Sequence, residues 1–204
     1  MNAPLRNLRP AVLSLLAEQI PVALREVPRW VAWRYEKRTK PGGEPKWAKM
    51  PLTSRDTAAK VCDPTTWGTF QELDSAYLLY DFDGIGLVLT GGDGLHGIDI
   101  DDCRNPVTGQ LNSLACRILE RIRGYAEISP SGTGIKIVAR TNLDKSRVNH
   151  KTGLELYVGS RTSFGGALSL GFDPKLSTSS CKALSRLKLE TCGPAPELTW
   201  VKSR

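Results

Sequence analysis

The sequence has no CxxC pair. Its five cysteines, Cys62, Cys103, Cys116, Cys181 and Cys192, are scattered and odd in number, so neither a zinc site nor a disulfide framework follows from them. Histidine is scarcer: His96 and His150 are the two present, too few and too far apart for a metal cluster. Every apolar run is interrupted by charge, glycine or proline well short of a membrane span. The opening MNAPLRNLRP lacks the apolar core of a secretion signal. A cytoplasmic protein outside the membrane is the expectation.

What is present suits one substantial domain: 204 residues, 40% apolar and 24% charged. The net charge of +7 is unevenly spread. Residues 1–60 carry twelve Lys/Arg against five Asp/Glu, whereas residues 61–160 carry nine against thirteen. Basic flanks around an acidic middle suit a metal-dependent enzyme acting on a polyanion. A basic surface that merely aids solubility is the plainer explanation.

Along the chain, residues 11–26 place apolar side chains at helical spacing, with Pro21 forcing a break or a second start. WVAWRY at 30–35 predicts a strand, and RTKPGGEPKWAKMP after it a basic loop. Asp63-Pro64 caps a helix carrying Trp67, Phe70, Leu73 and Tyr77. Residues 84–89 and 95–101 predict an antiparallel hairpin turning at Gly91-Gly92-Asp93-Gly94. An amphipathic helix follows at 111–122, with Leu111, Leu114, Ala115, Ile118 and Ile122 on one face. Short strands at 125–128, 135–140 and 154–158 come next, with the basic loop TNLDKSRVNHKTG before the last. Paired strands with helices between them predict an α+β domain, a mixed or antiparallel sheet with flanking helices. No glycine fingerprint joins a first strand to a helix, which argues against a dinucleotide-binding fold.

Three elements carry candidate chemistry. In GIDIDD (97–102), alternation sends Ile98 and Ile100 to a core and Asp99 and Asp101 to the opposite, open face, with Asp102 turned toward a cap. Paired carboxylates of that kind suit a hard cation, Mg²⁺ or Mn²⁺, held together with phosphates; a solvated strand end would look the same. In SPSGTGIK (129–136), a turn between strands offers backbone N–H groups to an anion, assisted by Ser131 and Thr133, with Lys136 as a point charge. An ordinary hairpin turn also fits. Glu155 shares a strand face with Tyr157 and supplies a third carboxylate to the acidic pair, if it is more than a solvated position.

Together these segments resemble the catalytic domain of the archaeo-eukaryotic primase superfamily, in particular the N-terminal primase–polymerase domain of phage and plasmid replication proteins. The resemblance runs from about residue 20 to 161, through VPRWVAWRYEKR, KWAKMP, DPTTWGTFQE, DGIGLVLTGGDGLHGIDIDDCRNPVTGQ, YAEISPSGTGIKI and GLELYVGSR. It implies a primase–polymerase core over 20–161, preceded by an N-terminal extension at 1–19. It also implies template-directed nucleotidyl transfer: a hydroxyl attacks the α-phosphate of an NTP or dNTP on a DNA template and pyrophosphate leaves. Carried over by position, Asp99, Asp101 and Glu155 match the catalytic metal ligands for Mg²⁺ or Mn²⁺. Ser131, Gly132, Thr133 and Gly134 fall in the nucleotide-phosphate motif, with Lys136 where many members have histidine. Lys49 and Arg161 are weaker candidates for phosphate or template contacts.

After Arg161 the chain departs from the family pattern, reading RTSFGGALSLG, so the fold is expected to be incomplete at its carboxyl end and 162–204 to form a divergent, poorly ordered tail. No helicase segment fits in this length, which implies a separate helicase partner or a truncated remnant. Two other readings remain open: a nucleic-acid-binding remnant that no longer catalyses, and a different Mg²⁺-dependent phosphotransferase built on the acidic pair alone.

Overall fold

The computed structural model describes residues 8–39 and 41–159, together with the backbone of 167–169. Within these bounds two antiparallel sheets form, backed by short helices.

The first sheet is ordered β2-β1-β3-β9. Strand β1 (Trp30–Arg38) grows from the aromatic, β-branched run and pairs with β2 (Lys46–Leu52) from Ala32↔Leu52 to Arg38↔Lys46. On its other side lies β3 (Gly84–Val88), buried at every residue, and beyond that β9 (Ala167–Ser169). Trp30 and Ala32 of β1 join a core with Leu24 of α1 (Val22–Arg25) and with Phe70, Leu73 and Ala76 of α2 (Phe70–Leu79). Trp30 and Phe70 meet edge to face, with ring centroids 5.1 Å apart. Helix α2 starts where it does because Thr69 and Glu72 form a reciprocal capping box.

The second sheet is ordered β5-β6-β4-β8-β7. Its strands are β4 (Leu95–Ile100), β5 (Tyr125–Ile128), β6 (Ile135–Arg140), β7 (Arg147–Asn149) and β8 (Leu154–Tyr157). Alternation divides its two faces. On one, Ile98, Ile100, Ala126, Ile128, Ile135, Ile137 and Leu156 pack with Ala115 and Leu119 of α3 (Ser113–Arg121). Each buried Ile or Leu there contributes about 1.5–3 kcal/mol. On the other face Leu95, Tyr125 and Val138 join the first sheet's core. The same face also carries Asp99, Glu127, Lys136 and Glu155.

Several expectations are corrected. Strands β3 and β4 do not form a hairpin: β3 pairs with β1 and β9, β4 with β6 and β8, so the glycine turn carries the chain between sheets. Every pairing between described strands is antiparallel, so of the two arrangements expected, mixed or antiparallel, the antiparallel one is found. The helix expected at 11–26 reduces to a 3-10 turn (Ala17–Gln19) and α1, which restarts after Pro21. Leu13 packs on the second core and Leu15 on the first, so this stretch spans two cores instead of lying on one helical face. Asp63-Pro64 caps only a 3-10 turn (Pro64–Thr66), and the end of the expected basic loop is strand β2.

Candidate active site

Strand pairing builds the site. Asp99 on β4 lies opposite Lys136 on β6 and Glu155 on β8, and Lys136 lies opposite Glu127 on β5. A single row, Glu127, Lys136, Asp99, Glu155, therefore crosses four strands on one face. Opposed side chains in such a ladder stand about 4.5–5.5 Å apart at Cβ. Distant segments thus bring together two of the expected acids and the expected lysine.

The Lys136 ammonium donates to Asp99 Oδ2, and both side chains are largely buried. Asp99 Oδ1 is buried without a hydrogen-bond partner. Glu155 accepts from the Tyr157 hydroxyl; burial first, then this carboxylate, pushes the phenol well above its ordinary range. Asp101 lies just past β4 and is exposed, its N–H donating to the Gly153 carbonyl at 2.8 Å. Its pKa is raised by desolvation, then by the Asp99 charge, with Glu155 adding and Lys136 opposing. Asp102 takes a left-handed conformation, φ 48°, in the turn that follows β4.

Lys49 reaches the same field from the first sheet. Its ammonium sits 4.9 Å from the Trp33 ring centroid and 6.0 Å from that of Tyr35. Desolvation first, and the Lys136 charge second, lower its pKa to about 8, against the pull of Asp99, Glu127 and Asp101. The residue as a whole is exposed, so solvent screens this shift.

The turn after β5 is tightly self-bonded. Ser129 Oγ accepts from the Gly134 N–H at 2.9 Å and meets Ser131 Oγ at 2.8 Å; Ser131 Oγ meets Thr133 Oγ1 at 3.0 Å. The Gly132 N–H donates to the Ser129 carbonyl, so two of the N–H groups expected to face an anion are engaged inside the turn. Gly132 is needed there for its φ of 76°. Gly134 is needed for closeness: a Cβ would come 2.9 Å from the Ile100 carbonyl, where β4 runs into the acids.

Two residues of this site were not singled out by sequence reasoning. Arg104, buried beneath the turn, donates from its guanidinium to the Gly132 carbonyl and from its N–H to the Thr133 carbonyl, each at 2.8 Å. Glu127 is 1% exposed, and neither of its oxygens makes a well-placed hydrogen bond, although the Tyr125 hydroxyl leans toward it. Burial raises its pKa well above the usual carboxylate range despite the Lys136 charge. A signal for Glu127 was available: folding the chain back at SPSGTG places it opposite Lys136 by period-two counting. Arg161 lies outside the described residues.

Among the described residues, no group of three or more His, Cys, Asp or Glu side chains is arranged to hold a metal ion. Lys136 occupies one oxygen of Asp99, and Tyr157 engages Glu155. The donor set still suits a hard divalent ion: carboxylates only, on one face, with a buried Asp99 oxygen lacking a partner. Among the described residues, no helix is long and apolar enough to cross a membrane.

No family model matches the chain. A DNA primase-polymerase of Nitratiruptor phage NrS-1 is 32% identical over 145 residues, which is 68% of this chain and 19% of that protein's length. This chain therefore corresponds to a minor part of that relative. Over two thirds of its residues, the chain is a relative of a phage DNA primase-polymerase, the kinship that its motifs resemble.

Proposed function

We propose that this domain performs template-directed nucleotidyl transfer on DNA. The observation that carries the reading is the row that sets Asp99, Lys136 and Glu155 side by side in a chain related over two thirds of its residues to a primase-polymerase. In the reaction, a strand or nucleotide hydroxyl forms a bond to the α-phosphorus of an NTP or dNTP. The bond to the β-phosphate oxygen breaks, pyrophosphate leaves, and the hydroxyl proton passes to solvent.

Asp99, Asp101 and Glu155 would hold Mg²⁺ or Mn²⁺, which supplies Lewis-acid stabilisation of charge developing on the phosphoryl oxygens. Lys136 and Lys49 present positive charge to a triphosphate. Ser131 and Thr133 offer hydroxyl donors beside the end of β4. An ammonium in place of imidazole gives three donors and a point charge, suited to binding phosphate and not to relaying a proton. The basic first sixty residues supply charge for a DNA backbone.

The test is extension on single-stranded template with NTPs or dNTPs and Mg²⁺ or Mn²⁺, comparing wild type with Asp99→Ala/Asp101→Ala. Products made by the wild type and absent from the double variant support the reading. Template binding without products would favour a non-catalytic remnant, and neither outcome would leave another phosphotransferase. Binding through basic flanks should also weaken steeply as salt rises.

A further inference from the structure

Lys136 stands between two carboxylates and holds only one. Its register partners are Asp99 on one side and Glu127 on the other. The ammonium bonds Asp99 Oδ2, while both Glu127 oxygens are buried without a partner. Leaving a carboxylate that deeply buried and unpaired is unfavourable, and the fold places a cationic side chain directly across from it.

We infer that Glu127 is a second berth for the Lys136 ammonium, which moves there from Asp99 when a divalent cation takes Asp99. The inference rests on the metal reading proposed above. A cation and an ammonium on one carboxylate repel each other, and the nearest alternative acid on the far side of Lys136 is Glu127. The four-carbon lysine stem can turn to either neighbouring strand while β6 stays in place. The other charged groups that act on Glu127 are Lys49 and Asp99, with the Tyr125 hydroxyl beside it. Lys49 is engaged on the Trp33 and Tyr35 rings, which makes Lys136 the side chain free to change partner. Glu127 is then a positioning residue: it draws the ammonium away and leaves both Asp99 oxygens open.

Mn²⁺ binding to the whole chain, read from the electron-spin-resonance signal of the free ion without nucleotide, tests this. Asp99→Asn should abolish binding. Glu127→Gln should weaken it roughly tenfold or more, the worth of one charge-assisted hydrogen bond. In a Lys136→Met background the same substitution should change little, and Lys136→Met alone should tighten binding. Equal weakening by Glu127→Gln in both backgrounds would show only a through-space charge and overturn the inference. So would loss of the effect in Lys49→Met with Lys136 intact. If the wild type binds no Mn²⁺, or Asp99→Asn binds it unchanged, the metal reading itself fails and the berth with it, a result distinct from lost coupling. Should Glu127→Gln not fold, scalar coupling across the Lys136 hydrogen bond in wild type decides. With Mg²⁺ it should connect Nζ to the Glu127 carboxyl carbon; coupling to Asp99 instead overturns the inference.

Discussion

Along β4, Ile98 and Ile100 point beneath α3 while Asp99 between them points into the charged row. The same division runs through β6, where Ile135 and Ile137 flank Lys136, and through β5, where Ala126 and Ile128 flank Glu127. One face is apolar and closed by a helix. The opposite face carries buried charge, one ion pair and three carboxylate oxygens without partners. The two faces differ by one step along each strand, so stability and chemistry separate at single-residue spacing.

Substitutions can break that comparison. The largest effect on folding is expected beneath α3: Ile98→Ala should lower the unfolding free energy by about 2–5 kcal/mol in urea titrations. At a temperature where the variant is folded, Mn²⁺ binding should be retained; its loss would mean the faces are not separable. Across the sheet the sign should reverse. Glu127→Met replaces an unpartnered buried acid by an apolar side chain of similar length, and should raise stability by about 1–3 kcal/mol while weakening the site.

The same acid sets a pH dependence. Its native pKa is raised, so the native state keeps the proton to higher pH than the unfolded chain does. Stability should therefore be fullest below the ordinary glutamate range and fall as pH rises above it. Glu127→Gln should flatten that fall in thermal melts at stepped pH. The smallest effect is expected at Lys49, whose charge is lost as pH rises through about 8. Triphosphate binding should weaken there by up to about fivefold. Lys49→Arg, charged throughout, should bind evenly across that range.

Much of the second sheet could be read from the sequence because its strands alternate cleanly and its turns are marked. GIDIDD sent Ile98 and Ile100 inward, and SPSGTG marked the return that pairs β5 with β6. The first sheet was harder. KWAKMP lacks β-branched residues and contains Pro51, yet it is a strand; β2 lies at the sheet edge, where a missing N–H is tolerated. The supposed hairpin of β3 and β4 failed for a different reason. Both strands are buried at every residue, and local spacing cannot say whether the chain returns to its own sheet or crosses to another. Glu127 was overlooked because a glutamate beside Tyr125 in a four-residue strand reads as ordinary until its partner across β6 is counted. The tail beyond 161 lies, apart from the backbone of 167–169, outside the described residues.

Gly153 has a consequence for how this domain can vary. Its φ is 66°, and a Cβ there would stand 2.9 Å from the Asp101 carbonyl oxygen, while its own carbonyl accepts the Asp101 N–H. The turn from β7 into β8 is thus fastened directly to the end of the acidic strand, two residues before Glu155. In the stretch 141–145, before β7 joins the sheet, insertions or altered charges can reshape what the surface meets without shifting the spacing of the carboxylates. New binding partners can be accommodated in that segment while the carboxylates stay anchored by a residue with no side chain.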